Sequence, residues 1–377
     1  MRERIIIVGG GVSGLLLGSL IGDGVRIFEE HSAIGFPEHC TGIISLDVLH
    51  RMKLSKRLVE ASFNRFILYF PSGYRIILTG SPLAVKVDRP GVERELYYKA
   101  IDRGAKISLK SKVQELLASG KIVVNGIPYE GELIILAEGY KQYFSRKLGL
   151  VRRSVSLPAL QARIVGEINT SDVEVYFSNL TPGYFSWFVP ISDSEAVVGL
   201  AGKRNLKQKL YILLRVLERT GRISLPQTRY FYGGLILRGP PGKLSTGNIV
   251  AIGDSIGMVK PLTGGGLYPI SIAGTILSEV INKYIEGEMT LSMLKKEYET
   301  RLNYFISRLK TIQRILDLID YRVEEFLKII ARGMNKLGFK TLIDEVDYDD
   351  HLRDIITLLN PKNKGKLLAS IITGLIK

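Results

Sequence analysis

Apolar residues open the chain as an unbroken block, Ile5 to Val8, followed at once by the glycine-rich Gly9 to Gly14 and a second apolar block, Leu15 to Ile21. A short apolar run without alternation marks a strand buried on both faces, and the glycines separate it from the helix that follows. Val25 to Glu29 reads as a second strand, completing a βαβ unit. The whole stretch from Ile5 to Gly22 is uncharged and resembles a signal peptide or membrane anchor in length. Six of its eighteen residues are glycine, however, which suits a tight turn and a buried helix better than a lipid-facing span.

Further along, Arg65 to Thr79 patterns as a β-hairpin, Phe66 to Phe70 and Tyr74 to Leu78, around Pro71-Ser72-Gly73. Val87-Asp88-Arg89 precedes a helix, Val92 to Arg103, and strands then continue to Ile135, where the opening fold resumes and ends near Gly139. Four strand-like runs follow: Leu160 to Glu167, Glu174 to Ser178, Ser186 to Pro190 and Ala196 to Ala201, with a helix near 205 to 219. Asn248 to Ile252 reads as a third strand of the opening fold. From 267 the pattern is largely helical and closes on the basic, apolar Leu367 to Lys377. The expected architecture is α/β. A Rossmann-like dinucleotide domain is discontinuous over 1–64, 80–150 and 240–285, an antiparallel-sheet domain comes from 65–79 and 151–239, and 286–377 is a helical C-terminal region.

A chain of 377 residues carries two or three domains comfortably. Lys and Arg outnumber Asp and Glu by 52 to 37, a formal charge of +15 that favours anionic partners such as phosphates or acidic lipid headgroups. The basic residues are scattered, with no dense run interleaved with aromatics, which disfavours nucleic acid. Cys40 stands alone, and His31, His39, His50 and His351 are too dispersed for a metal cage. No disulfide and no metal are expected, and a reducing, cytoplasmic compartment fits.

Two stretches carry the candidate chemistry. In the first, Gly9 permits a tight turn, Gly11 lets the backbone approach a pyrophosphate, and Gly14 lets helix and strand pack closely, with Glu29 placed twenty residues after Gly9 to accept ribose hydroxyls. The second is GNIVAIGDSIGMVKPLTGGGL, Gly247 to Leu267, where a buried strand ends at Gly253-Asp254 and a glycine turn opens a new helix. Asp254 there can bond the ribityl hydroxyls of a flavin, and the N–H groups of Gly265, Gly266 and Leu267 can face its pyrimidine ring. The pair of motifs points to FAD.

These segments, together with GFPEHCTG at Gly35 to Gly42 and Val87-Asp88-Arg89, resemble the geranylgeranyl reductase family, related in fold to p-hydroxybenzoate hydroxylase. The resemblance covers about residues 1 to 285. It implies FAD contacts from Gly9, Gly11, Ser13, Gly14, Glu29, Cys40, Thr41, Ile43, Arg89, Val113, Asp254, Gly265, Gly266 and Leu267, with Ile43 replacing a usual glycine. The family's substrate pattern, Pro-x-x-Tyr-x-Trp-x-Phe-Pro, corresponds to Pro182 to Pro190, with Phe185 where tyrosine is usual and Val189 where phenylalanine is. Tyr184, Phe185 and Trp187 are thereby implied as substrate contacts, and Cys40, Tyr184 and Trp187 as catalytic. Glu138-Gly139 takes the place of an Asp-Gly pair in related flavin hydroxylases.

The implied reaction is reduction of isolated C=C bonds in geranylgeranyl chains of archaeal ether lipids, with hydride from N5 of reduced FAD. Cys40 or a water gives the proton in a concerted step, because a thiol is too weak an acid to protonate an alkene beforehand. An isoprenoid lipid is the implied partner, with peripheral contact at an anionic membrane. Ferredoxin, NADH and NADPH all remain as electron donors, since no second dinucleotide motif is present. Alternatives are a reductase of a quinone's isoprenoid tail, a flavin hydroxylase, and a non-catalytic flavoprotein that carries electrons or binds isoprenoid.

Overall fold

The computed structural model describes residues 2–350 apart from 72, 74, 118, 152–154, 319–341, 344 and 345, so that Leu367 to Lys377 lies outside the described residues. Strand Arg2–Val8 takes the interior of the first sheet, parallel to Val25–Phe28 on one side and Ile127–Leu136 on the other. Lys106–Ser108 and Ile249–Ala251 extend it outward in the same sense. Ile5, Ile6 and Ile7 are fully buried, as an unalternating apolar strand requires. Helices Val12–Ile21, Arg89–Asp102 and Leu267–Ile285 share one core with this sheet.

The second sheet runs in the order Ile223–Arg238, Val155–Ile168, Glu195–Ala201, Ser186–Ser192, Val173–Tyr176, Val59–Tyr69, Arg75–Val87, Leu342–Ile343. It is antiparallel except where Val173–Tyr176 meets Val59–Tyr69 and where Leu342–Ile343 meets Arg75–Val87, both parallel. Period-two alternation gives it two apolar faces. Ala162, Ile164, Phe188, Val198 and Leu200 pack on helix Leu206–Arg219 through Leu210, Leu213, Leu214 and Leu217, while Leu157, Trp187, Val189 and Val197 form a separate cluster on the other face.

Several boundaries differ from expectation. The hairpin extends to Val59–Tyr69 and Arg75–Val87, well past the turn-proximal runs visible in the pattern. Its second strand passes from one core to the other: Leu83 and Ala84 belong to the second sheet's cluster, Val85 and Val87 to the first's, so one strand joins both. Strand Ile223–Arg238, paired along the length of Val155–Ile168, goes unseen in the pattern because Pro226 and Gly233-Gly234 interrupt it. The C-terminal part is helical over Leu291–Leu318, and the chain then returns to the edge of the second sheet at Leu342–Ile343.

Candidate active site

One cavity of about 1200 Å³ is lined by the Gly9–Ser13 turn and the Asp254–Leu267 loop and, adjoining that loop, by Tyr184, Phe185 and Trp187. Gly9, Gly11, Ser13, Glu29, Cys40, Thr41, Ile43, Arg89, Val113, Asp254, Gly265, Gly266 and Leu267 all line it together with the three aromatics. Gly14 does not. A Cβ at Gly14 would stand 2.0 Å from the Gly9 carbonyl oxygen, so this glycine acts behind the wall, where helix and strand meet.

The three glycines of the turn do different work. Gly9 has φ +107°, and a Cβ there would lie 2.3 Å from the Ala137 carbonyl oxygen, so both backbone conformation and space exclude a side chain. Gly11 has no atom within 4 Å of its notional Cβ, which would project into open space in the cavity wall. A group filling that space can approach the amino terminus of helix Val12–Ile21, which has no side-chain cap and no acidic residue in its first turn. Glu29 is held by the Gly10 and His31 backbone N–H groups, at 2.6 and 2.8 Å, and by the His31 ring at 2.5 Å.

The opposite end of the same wall repeats the device. Helix Leu267–Ile285 starts at Gly266, again with no side-chain cap. Helix Arg89–Asp102 differs, because the Asp88 carboxylate accepts from the Gly91 N–H at 3.0 Å and closes its end. Gly266 lies against Asp254, where a Cβ would come within 2.7 Å of the carboxylate. Burial pushes the Asp254 carboxyl above the usual range, against the pull of His39 and Arg89. Arg89 is itself buried: burial alone would lower its pKa, yet the Glu93 carboxylate and the Cys40 thiol beside it hold it higher. Its Nη2 donates to Glu93 at 2.9 Å, while among the described residues Nε and Nη1 have no hydrogen-bond partner, and neither has the buried Thr263 hydroxyl. Two uncapped helix ends, an open glycine cradle and unsatisfied buried polar atoms in one wall fit a pyrophosphate and flavin ring well.

The other wall is built from side chains. Phe185 stacks on Tyr184 at 4.2 Å between centroids and meets Trp187 edge-on at 6.0 Å. The Tyr184 hydroxyl donates to the Thr263 carbonyl at 2.6 Å, its ring carries the Arg238 guanidinium at 4.7 Å, and burial pushes its pKa well up. The hydroxyl missing at Phe185 is therefore not replaced by a free one. Glu138 accepts from the Phe144 and Ser145 N–H groups at 3.0 and 2.7 Å, so it anchors the turn that follows.

Sequence reasoning missed Gln161, Arg238, Lys260 and Tyr348. Gln161 accepts from the Trp187 indole at 3.2 Å and from the Thr41 hydroxyl. Tyr348 lines the cavity and meets Phe66 edge-on at 5.7 Å, and the buried Lys260–Asp349 pair, at 3.0 Å, fastens its segment to the glycine-rich loop. Gln161, Arg238 and Tyr348 stand outside the motifs read from the sequence, and Lys260, within the Gly247 to Leu267 stretch, acts through its tie to Asp349; of the four, Gln161 and Tyr348 line the cavity.

No family model matches the chain. Digeranylgeranylglycerophospholipid reductase 2 of Methanopyrus kandleri is 27% identical over 80% of this chain and 82% of its own length. The digeranylgeranylglycerophospholipid reductase of Methanocaldococcus jannaschii is 24% identical over 91% and 94%. The chain is thus similar to these reductases along most of its length. Among solved structures, a geranylgeranyl bacteriochlorophyll reductase-like protein from Thermoplasma acidophilum superposes with a TM-score of 0.79 at 18% identity, over 98% of this chain and 99% of that one. A flavin-dependent brominase follows the same path with a TM-score of 0.71 at 14% identity, covering 95% and 93%. The fold is thus one shared by flavin-dependent oxidoreductases, and the likeness to geranylgeranyl reductases runs far beyond residue 285.

Proposed function

We propose that this chain is an FAD-dependent oxidoreductase that saturates isolated C=C bonds in the geranylgeranyl chains of archaeal ether lipids. The observation that carries this reading is the joining, in one cavity, of a wall suited to a dinucleotide with an aromatic, apolar wall suited to an isoprenoid chain. Gly11 and the Val12–Ile21 amino terminus would hold the pyrophosphate, Glu29 the ribose, Asp254 the ribityl chain, and Gly265 to Leu267 the ring. FAD, when bound there, supplies the hydride that reduces the alkene.

The protein's own groups govern the rest. Positive charge develops on the more substituted carbon, and the faces of Trp187, Phe185 and Tyr184 stabilise it. Cys40 Sγ gives the proton to the other end of the double bond, and the thiolate left behind lies beside the Arg89 guanidinium until solvent returns the proton. No described helix is long and apolar enough to cross a membrane. The formal charge of +15 draws the protein to an anionic membrane surface, from which a lipid chain enters the cavity.

Anaerobic incubation of the flavin-loaded protein with dithionite and unsaturated archaeal phospholipid tests this. Mass spectrometry is expected to show gains of two hydrogens per double bond. Flavin-loaded protein that leaves the phospholipid mass unchanged overturns the substrate assignment, and gains on a quinone tail alone redirect it.

A further inference from the structure

Gln161, Gly199 and Trp187 form a row across three neighbouring strands, Gln161 opposite Gly199 and Gly199 opposite Trp187. The middle position has no side chain, and the indole occupies the room: a Cβ at Gly199 would stand 2.4 Å from the Trp187 ring. The ring therefore lies across one whole strand and its N–H reaches Gln161 Oε1 at 3.2 Å. The same oxygen accepts the Thr41 hydroxyl, and Gln161 Nε2 points to the His39 carbonyl at 3.5 Å. Gln161 is 2% exposed, so loss of its acceptor oxygen would leave both donors in a largely desolvated place. Its amide thus joins the Cys40–Thr41 loop to the indole, both of which line the cavity.

We infer that Gln161 is a positioning residue, which fixes the plane of the Trp187 indole relative to the Cys40–Thr41 loop and so sets the face offered to the reacting alkene. The inference rests on the proposed reduction only for the identity of what the indole faces. The lock itself is a matter of two hydrogen bonds accepted by one buried oxygen and of a glycine that lets the ring lie flat.

Trp187 is the single tryptophan of the chain, so indole emission, excited at the red edge where tyrosine does not absorb, comes from this residue alone. The flavin-loaded protein is compared with Gln161→Leu, which removes the acceptor, and Gln161→Glu, which keeps an acceptor oxygen. Gln161→Leu is expected to quicken the indole's anisotropy decay and to lower kcat on prenyl lipids by about tenfold at unchanged flavin absorbance, with KM little altered. Gln161→Glu is expected to restore the slow decay and most of kcat. A decay and a kcat for Gln161→Leu equal to those of the parent overturn the inference. Should that variant fail to fold, Thr41→Val cuts only the loop from Gln161: lowered kcat with the slow decay kept supports the coupling, and an unaltered kcat refutes it. Unmutated protein that saturates no alkene would sink the reductase reading while leaving the anisotropy comparison intact.

Discussion

The two walls of the cavity are made of different material. The glycine-rich side is backbone: glycines at Gly9, Gly11 and Gly266 and the bare amino ends of two helices. The aromatic side is side chain: rings from Tyr184, Phe185, Trp187 and Tyr348, with Gln161 behind them. A backbone wall admits an added side chain only at the expense of the fold, as at Gly9, or of the open cradle, as at Gly11, and is set by local turns. A side-chain wall tolerates exchange and is set by strand register. Substitutions on the first are thus expected to act on folding or cofactor retention, and those on the second on turnover.

The largest expected effect separates two glycines three residues apart. Gly14→Ala forces a Cβ to within 2.0 Å of a carbonyl oxygen and is expected to cost more than ~4 kcal/mol, seen as loss of soluble protein or a collapsed thermal transition. The Cβ of Gly11→Val meets no protein atom within 4 Å, so the flavin-free protein is expected to melt as the parent does while FAD affinity drops about a thousandfold. Equal melting losses in both variants would break the distinction between packing and cradle.

Across the cavity, Trp187→Ala is expected to lower turnover of long prenyl chains about a hundredfold, from lost apolar contact and lost cation stabilisation, with flavin content kept. Trp187→Phe is expected to recover the part due to contact. Full turnover by folded Trp187→Ala would make this wall mere packing.

Asp254 sharpens the contrast through pH. Its folded-state pKa is raised by burial, so its contribution to stability is present at low pH and is lost as pH rises through the raised value. Flavin-free Asp254→Asn is expected to match the parent near pH 4 and to melt above it at neutral pH, yet to retain FAD less well. The smallest effect is expected for Tyr184→Phe: ~1 kcal/mol of stability from the bond to Thr263 and turnover within about threefold. A much larger fall in turnover would mean that the hydroxyl moves the proton.

Legibility in the sequence follows the same division. Gly9, Gly11, Gly14 and Glu29 are readable because a turn that must admit a phosphate restricts residue type within a short span. Asp254 and Gly264 to Gly266 are readable for the same reason. Trp187 and its neighbours stood out as a cluster, but Gln161 did not, since nothing near it in the chain announces that Gly199 would leave a path to an indole two strands away. Tyr348 was equally silent, arriving from beyond a long helix onto a cavity laid out more than eighty residues earlier. Strand Arg75–Val87 was cut short in the pattern because its burial changes from one core to the other partway along.

The Lys260–Asp349 pair ties residues 89 positions apart, with both side chains nearly out of water. Lys260 also donates its backbone N–H to Gly265 at 3.0 Å and its ammonium to the Tyr348 carbonyl at 3.1 Å. Separating the two charges inside the protein is costly, so the glycine loop and the segment that bears Tyr348 gain and lose order together. Reciprocity follows from that shared free energy: a molecule that stiffens the loop is expected also to seat Tyr348, and a chain pressing on Tyr348 to tighten the hold on whatever the loop grips.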